Sequence, residues 1–528
     1  MEQITGRNLP TGFEPLDRRQ RGLKANDPLQ FELRRRSFSG CRVLRVLALP
    51  LFILYGMAMG QEKSGTEIVL DASMDNLQGI INSASEHTVF IFKAGVYRGL
   101  SLTAKGGDSF IGLPGAILNG SEVVTFKQVN ARLWQANPPS ARPEVIRDGT
   151  PCEPGLKNAD GTPYTVGCTH SRSLYWDDRP LWRVASLGEV APQKWFFDET
   201  SKTIYIGENP MGHTVELGEM PIAISGSGPD VRIEGLRVEK YAGSRSPAIQ
   251  CLGGNWKIRN NVVRWNHSDG IGFIHCDGIE VSGNVASFNG DLGLGGSESN
   301  NALVESNEFN GNNYAHFDRD WEAGGAKWAL VQNLTVRYNR ASDNLGFGLW
   351  IDVDSSGVVF EGNIAMNNER GGIFYEISRE GTIQNNIAAL NGYGAFCEKP
   401  WMYCGQITIS TSSNVNVRGN VAIVGEHGNG ITVLDQERGA GKLGLHVSRD
   451  NTVSGNSITY LTKQGMSGAA SGRDKVFQNN NIFDGNTYYL AEGTEADPHF
   501  VFQLGTGWEG FQKVGFEKRG HITQASNK

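Results

Sequence analysis

The 528-residue chain lacks the short motifs that mark many enzyme classes. It has no C-x-x-C pair, which argues against a structural zinc site, and no P-loop, nucleophile elbow or H-E-x-x-H helix. The G-x-G at Gly346-Phe347-Gly348 has no strand-to-helix context, so no dinucleotide fold is indicated. Proline is scarce, at 19 residues, and glycine follows no G-X-Y period; this excludes collagen and argues against a disordered low-complexity chain. Long apolar runs are nearly missing too. The stretch Val46–Tyr55 falls short of the roughly 20 residues of a membrane span. Beyond residue 60 positive charge is in deficit, with 39 Lys/Arg against 51 Asp/Glu. That balance suits no nucleic-acid backbone, and no nucleic-acid partner is expected.

The first 60 residues differ, carrying ten Lys/Arg against five Asp/Glu. Arg34, Arg35, Arg36, Arg42 and Arg45 precede the apolar run, and Ala58-Met59-Gly60 supplies the small residues that a signal peptidase reads. Residues 1–60 therefore read as a targeting segment cleaved near Gly60/Gln61. The mature protein is then secreted or periplasmic, touching a membrane only through its export signal. Removing the segment deletes Cys41 and leaves six cysteines, Cys152, Cys168, Cys251, Cys276, Cys397 and Cys404. An even number in an oxidising compartment points to disulfides.

What is abundant is glycine, at 68 residues, and asparagine, at 41, of which 31 fall between Asn255 and Asn486. Stacking VRIEGLRV, WKIRNNVV, IEVSGNVA, ALVESNEF, LTVRYNRA, VVFEGNIA, GTIQNNIA, VNVRGNVA and NTVSGNSI aligns Leu236, Asn261, Asn284, Asn307, Asn339, Asn363, Asn386, Asn420 and Asn456. Their spacings are 25, 23, 23, 32, 24, 23, 34 and 36, and a further unit follows at Asn480 or Asn481. Three residues before each anchor stands an apolar residue: Ile233, Ile258, Val281, Val304, Val336, Phe360, Ile383, Val417 and Val453. Alternation around that column gives short strands with one buried face. Five residues after the anchor, Asn recurs at 266, 289, 312, 344, 368 and 391, and again at 486; stacked amides of this kind form hydrogen-bonded ladders.

Short strands and Asn/Gly corners at a period near 23 describe a parallel β-helix, each coil buried by its neighbours. On these segments the chain resembles the pectin-lyase-like, right-handed parallel β-helix proteins built of PbH1 repeats, over roughly residues 65–125 and 225–490. The resemblance implies an all-β solenoid whose open end is capped by a helix, for which Asp75–Ser83 is amphipathic (Leu77, Ile80, Ile81). The organisation expected is a targeting segment (1–60), a cap with first coils (61–125), an inserted β-rich subdomain (126–224), the main β-helix with a groove (225–490), and a C-terminal cap or tail (491–528). Cys251 and Cys276 each lie 15 residues after an anchor, hence at one place in adjacent coils and within disulfide reach. Cys152–Cys168 and Cys397–Cys404 are local pairs.

Three coils exceed the base period, by 9, 11 and 13 residues; the excess must leave the stack as loops. They bracket two regular coils, NLGFGLWIDVDSS and NERGGIFYEISRE. Alternation points Trp350, Asp352 and Asp354 outward on one, and Phe374 and Glu376 outward on the next. Asp352 is 13 residues after Asn339 and Glu376 is 13 after Asn363, so the two carboxylates should stack about 5 Å apart, close to the roughly 5–5.5 Å of retaining glycosidases. In this reading Asp352 is the nucleophile and Glu376 the acid/base, an Asp–Glu pairing similar to that of β-helix glycosidases of the β-xylosidase kind. Trp321, Trp350 and Phe374 would present flat faces to sugar rings, Glu322 would hold a hydroxyl, and Lys327 and Asp354 would line the site. His316, Asp318, Asp320, His427, Asp435 and Glu437 lie in the inserted loops.

A retaining hydrolase needs no cofactor and takes a poly- or oligosaccharide, with a monomer as working unit. A second chemistry stays open. With Ca²⁺ held by Asp352, Asp354 and Glu376, Lys327 would abstract the proton beside a uronate carboxylate, as in a polysaccharide lyase. A third reading, from another class, is a non-catalytic carbohydrate-binding or surface protein.

Overall fold

The computed structural model describes residues 65–398, 402–436, 438–471, 479–493, 495–502 and 507–524. Residues 1–60, expected to act as a targeting segment, and Glu437 lie outside these residues. Ser64–Lys528 is one compact unit, and among the described residues no helix is long and apolar enough to cross a membrane.

Three long sheets of 13, 12 and 13 strands run the length of this unit, and their neighbouring strands are parallel. Each coil contributes one short strand to each sheet, so the three sheets form the walls of a solenoid. The apolar column of the repeat lies at its centre. Ile258, Val281, Val304, Val336 and Phe360 occupy successive partner positions in the first sheet and are fully buried. Burying each such side chain stabilises by roughly 1.5–3 kcal/mol, which is why coils too small to fold alone hold together as a stack.

Asparagine fixes the corners. Asn261 Nδ2 donates to Asn284 Oδ1 at 3.0 Å, and the same bond repeats from Asn284 to Asn307, then to Asn339, Asn363 and Asn386. Each of these amides also donates to a backbone carbonyl inside the turn; Asn284, for example, reaches Ile258 O at 2.8 Å. A second ladder links Asn266, Asn289, Asn312, Asn344, Asn368 and Asn391 and ends on Gln406 Oε1. The residue before each anchor turns the chain at positive φ, 65° at Gly283 and 63° at Gly362, a region where glycine meets no Cβ penalty. The last coil departs from the sequence register. Asn486, and not Asn480 or Asn481, continues the first ladder from Asn456, while Asn481 pairs with Asn451. A cluster of three consecutive asparagines at 479–481 hid the true corner.

The insertion begins slightly earlier than the composition shift indicated. Ser121–Val123 already pairs antiparallel with Val215–Gly218, and the solenoid resumes at Ile224–Gly226, which lies against Leu102–Thr103. Within the insertion KWFFDETSKTIYIG forms the antiparallel pair Lys194–Asp198 with Thr203–Ile206, and Trp195, Phe197, Ile204 and Leu217 build a separate small core. The N-terminal helix spans Leu77–Ser83 and buries Ile81 in the solenoid core. Residues beyond 490 do more than trail off: Phe500–Phe502 and His521–Gln524 add strands to two of the long sheets, and the helix Gly507–Lys513 buries Phe511 against them. Disulfides join Cys152 to Cys168, Cys251 to Cys276 and Cys397 to Cys404, with Cα separations of 5.8, 6.1 and 5.7 Å.

All three extra-long coils spend their surplus at the ends of strands in the 12-stranded sheet. Residues 311–323 precede the strand Gly324–Ala329, residues 392–404 precede Gly405–Ser410, and residues 436–447 follow Asn429–Asp435. The first of these loops is braced by the insertion, through a bridge between Cys152 and Phe317 and an ion pair from Arg319 to Glu153 at 2.6 Å. The loops rise around two short-looped coils, and the site lies between them.

Candidate active site

Four strands of the 12-stranded sheet carry the site: Gly324–Ala329, Phe347–Asp352, Ile373–Glu376 and Gly405–Ser410. Their partners run Lys327–Trp350–Phe374–Thr408 on one outward column. Two residues further on, Ala329 partners Asp352 and Glu376 partners Ser410. The pairing of these two strands ends at Ile351 with Tyr375; Asp352 and Glu376 lie one position beyond it on neighbouring strands, close enough for the Asp352 charge to act on Glu376. Rings on the adjacent column of the same two strands, Trp350 and Phe374, have centroids 5.6 Å apart.

The two carboxyls have different surroundings. Asp352 accepts the Val353 N–H at 2.8 Å and forms an ion pair with Lys327 Nζ at 2.8 Å, so its ionised form is matched by a cation. Glu376 is 2% exposed; burial first, and the neighbouring Asp352 charge second, push its carboxyl up to about 7. Two carboxylates about 5 Å apart repel by roughly 3 kcal/mol at an effective dielectric near 20, enough to keep one protonated near neutrality. Arg438, 2.5 Å from Glu376 Oε1, opposes that rise. A carboxyl paired with a cation thus stands beside one whose proton affinity is raised, the division that acid-assisted displacement requires.

Lys327 also lies over the Trp350 ring, 3.7 Å from its centroid, and donates to Trp321 O. To act as a free base it would have to leave Asp352.

Several expectations are corrected. Trp350 and Phe374 do point outward from their coils, but they are 2% and 0% exposed. Phe347 stacks on Phe374 at 4.5 Å, Tyr403 meets it edge-on at 5.1 Å, and Lys327 covers Trp350. Their faces are occupied, so they wall the site and offer no open sugar platform. Trp321, 55% exposed, remains open. Asp354 leaves the carboxyl pair altogether. The strand ends at Asp352, and Val353 and Asp354 turn at φ 38° and 48°. Asp354 there accepts the Lys442 and Leu443 N–H groups and contacts His446 Nε2 at 2.9 Å. It anchors the hairpin Ala440–Leu445, and among the described residues no group of three His, Cys, Asp or Glu is placed to hold a metal ion. The Asp354 carboxylate is therefore already engaged by that hairpin and by His446. Glu322 is paired with Arg245 at 2.6 Å beside a cavity on the N-terminal side of Lys327. His316 is taken by Glu153, and Asp435 accepts the Ser448 N–H.

Arg438, Tyr403, His446, Arg245 and Asp269 were not singled out by sequence. The first three lie in the inserted segments of 11 and 13 extra residues, whose lengths marked a loop without marking which side chain turns inward.

Residues 247–422 match the family model described as the right handed beta helix region. No curated protein matches the chain. Among solved structures, the complex of XylC with xylose superposes with a TM-score of 0.57 at 13% identity, covering 86% of this chain and 83% of that one. The A-module of the Azotobacter vinelandii mannuronan C-5 epimerase AlgE6 superposes with a TM-score of 0.50 at 11% identity, covering 85% and 94%. The protein is a right-handed parallel β-helix.

Proposed function

We propose that the protein is an exported carbohydrate-active enzyme that cleaves glycosidic bonds in a poly- or oligosaccharide with retention of configuration. The observation that carries this reading is the neighbouring pair Asp352 and Glu376, the first matched by Lys327 and the second raised to about 7. Protonated Glu376 donates its proton to the leaving oxygen while Asp352 attacks the anomeric carbon. The leaving sugar departs with that proton, and a glycosyl ester on Asp352 remains. Glu376, now ionised, takes a proton from water, which attacks the ester and frees Asp352. Lys327 orients Asp352, and exposed Trp321 offers a face for a sugar ring. Two neighbours in fold support a carbohydrate substrate: one was solved with xylose bound, and the other is an epimerase of mannuronan.

Three disulfides support export to an oxidising compartment.

The test is incubation with plant and algal polysaccharide panels, with and without chelator. New reducing ends that survive chelation and vanish in Asp352→Ala are expected. Chelator-sensitive unsaturated products would instead indicate a lyase, and binding without any product would indicate a carbohydrate-binding protein.

A further inference from the structure

A cavity of about 200 Å³ opens on the same sheet, on the N-terminal side of the carboxyl pair. Its floor is nearly bare backbone, because the outward column that carries Lys327 and Trp350 continues through Gly295 and Gly272. Arg245, Gln250, Asp269, Glu322 and Lys327 supply its polar wall, and Phe273 and Pro247 its apolar one. Ala329, the strand partner of Asp352, is also part of the lining, so the cavity ends one coil from the nucleophile. The volume lies below the roughly 300–1,000 Å³ of drug-sized pockets and suits one sugar ring.

The charges here cancel. Arg245 is committed to Glu322 at 2.6 Å and Lys327 to Asp352 at 2.8 Å. Asp269 is 8% exposed; its Oδ1 accepts the Leu292 N–H at 3.1 Å, and its Oδ2 lies over Gly295, where a Cβ would come within 2.9 Å. Burial first, and the Glu322 charge second, push the Asp269 carboxyl up to about 8, so it keeps its proton near neutrality. A neutral carboxyl is a donor as well as an acceptor, the complement of a hydroxyl. An incoming carboxylate would find both cations engaged and the Glu322 carboxylate in the wall beside it, a charge without a free partner.

Resting on the hydrolase reading for its link to catalysis, we infer that this cavity holds one uncharged pyranose ring of the substrate and turns away uronic acids. Asp269 and Gln250 bind its hydroxyls, and Lys327 couples the ring to Asp352.

Binding is measured without turnover, by calorimetry and saturation-transfer NMR on the full-length protein. The probes are xylose, and glucose, galactose and mannose, each of these three set against its own uronate. At least one neutral sugar should bind, its uronate about tenfold or more weaker, and Asp269→Ala should weaken the neutral sugar by about tenfold. Should Asp269→Ala fail to fold, Gln250→Ala carries the same test. A uronate binding as tightly as its neutral counterpart, or no neutral sugar binding with a Kd below roughly 100 mM, would overturn the inference. A protein that binds a neutral sugar here but cleaves no glycan would keep this cavity and lose the hydrolase reading; cleavage of a polyuronate with retention would do the reverse.

Discussion

The same two coils carry two stacked pairs, thirteen residues apart, with opposite chemistry. At the corner, Asn339 Nδ2 donates to Asn363 Oδ1 at 3.0 Å and also reaches Val304 O. An amide is its own complement, so stacking it satisfies donors and acceptors together. On the sheet face, Asp352 and Glu376 come one position beyond the paired Ile351 and Tyr375, but a carboxylate has no donor for its copy, and the charge of one raises the proton affinity of the other. The ladder stabilises the solenoid; the carboxyl pair opposes it and is held only because the surrounding strands are fixed. Residues that violate the local rule in a structure otherwise obeying it mark a functional site.

Exchanging the two kinds of pair tests this contrast. The largest effect should come from Glu376→Gln, which removes the acid and should lower kcat by about 10²–10⁴-fold while leaving the melting temperature unchanged or higher. Because the folded protein holds this proton up to about 7, against a lower value in the unfolded chain, stability falls as pH rises between the two. The thermal advantage of the Gln variant should therefore grow across that interval, and a loss of stability in it would break the comparison. Asn363→Ala should do the opposite. It removes the acceptor of the Asn339 backbone N–H, one of the bonds from the Asn339 amide and one bond to the Val336 carbonyl, costing roughly 1–3 kcal/mol for a buried group left unpaired, visible in chemical denaturation, while each folded molecule keeps its turnover.

Smaller effects sharpen the account of the acid. The ratio kcat/KM should fall as pH rises through about 7, where Glu376 loses its proton. Arg438→Ala removes a cation that favours the ionised form, so the alkaline limb should move up by about one unit. Asp354→Ala should move it in the same direction but less, since Asp354 anchors the hairpin beside Arg438. A change in turnover with no movement of the limb would assign Asp354 a role separate from Arg438.

The solenoid was legible because its determinants are local and periodic: Ile258, Val281 and Val304 recur with the coil, and the ladder asparagines mark its corners. The same register predicted that Asp352 and Glu376 would meet, and it paired Cys251 with Cys276. It failed where chain leaves the stack. Burial of Phe374 depends on Tyr403 arriving from an inserted loop, and the diversion of Asp354 depends on His446 and two backbone amides 88 and 89 residues away. Asp269 was overlooked because a corner aspartate is ordinary; its setting comes from Glu322 on a loop braced by the insertion. Periodicity constrains what stacks, and says little about what folds over the stack.

The central claim is that Asp352 and Glu376 work as nucleophile and acid/base at one strand spacing. Proton NMR of the first product formed from a susceptible glycan reads this directly. The account predicts that the new reducing end appears first with the anomeric configuration of the bond cleaved, before mutarotation, and that Asp352→Ala abolishes it; a first product of inverted configuration would contradict it.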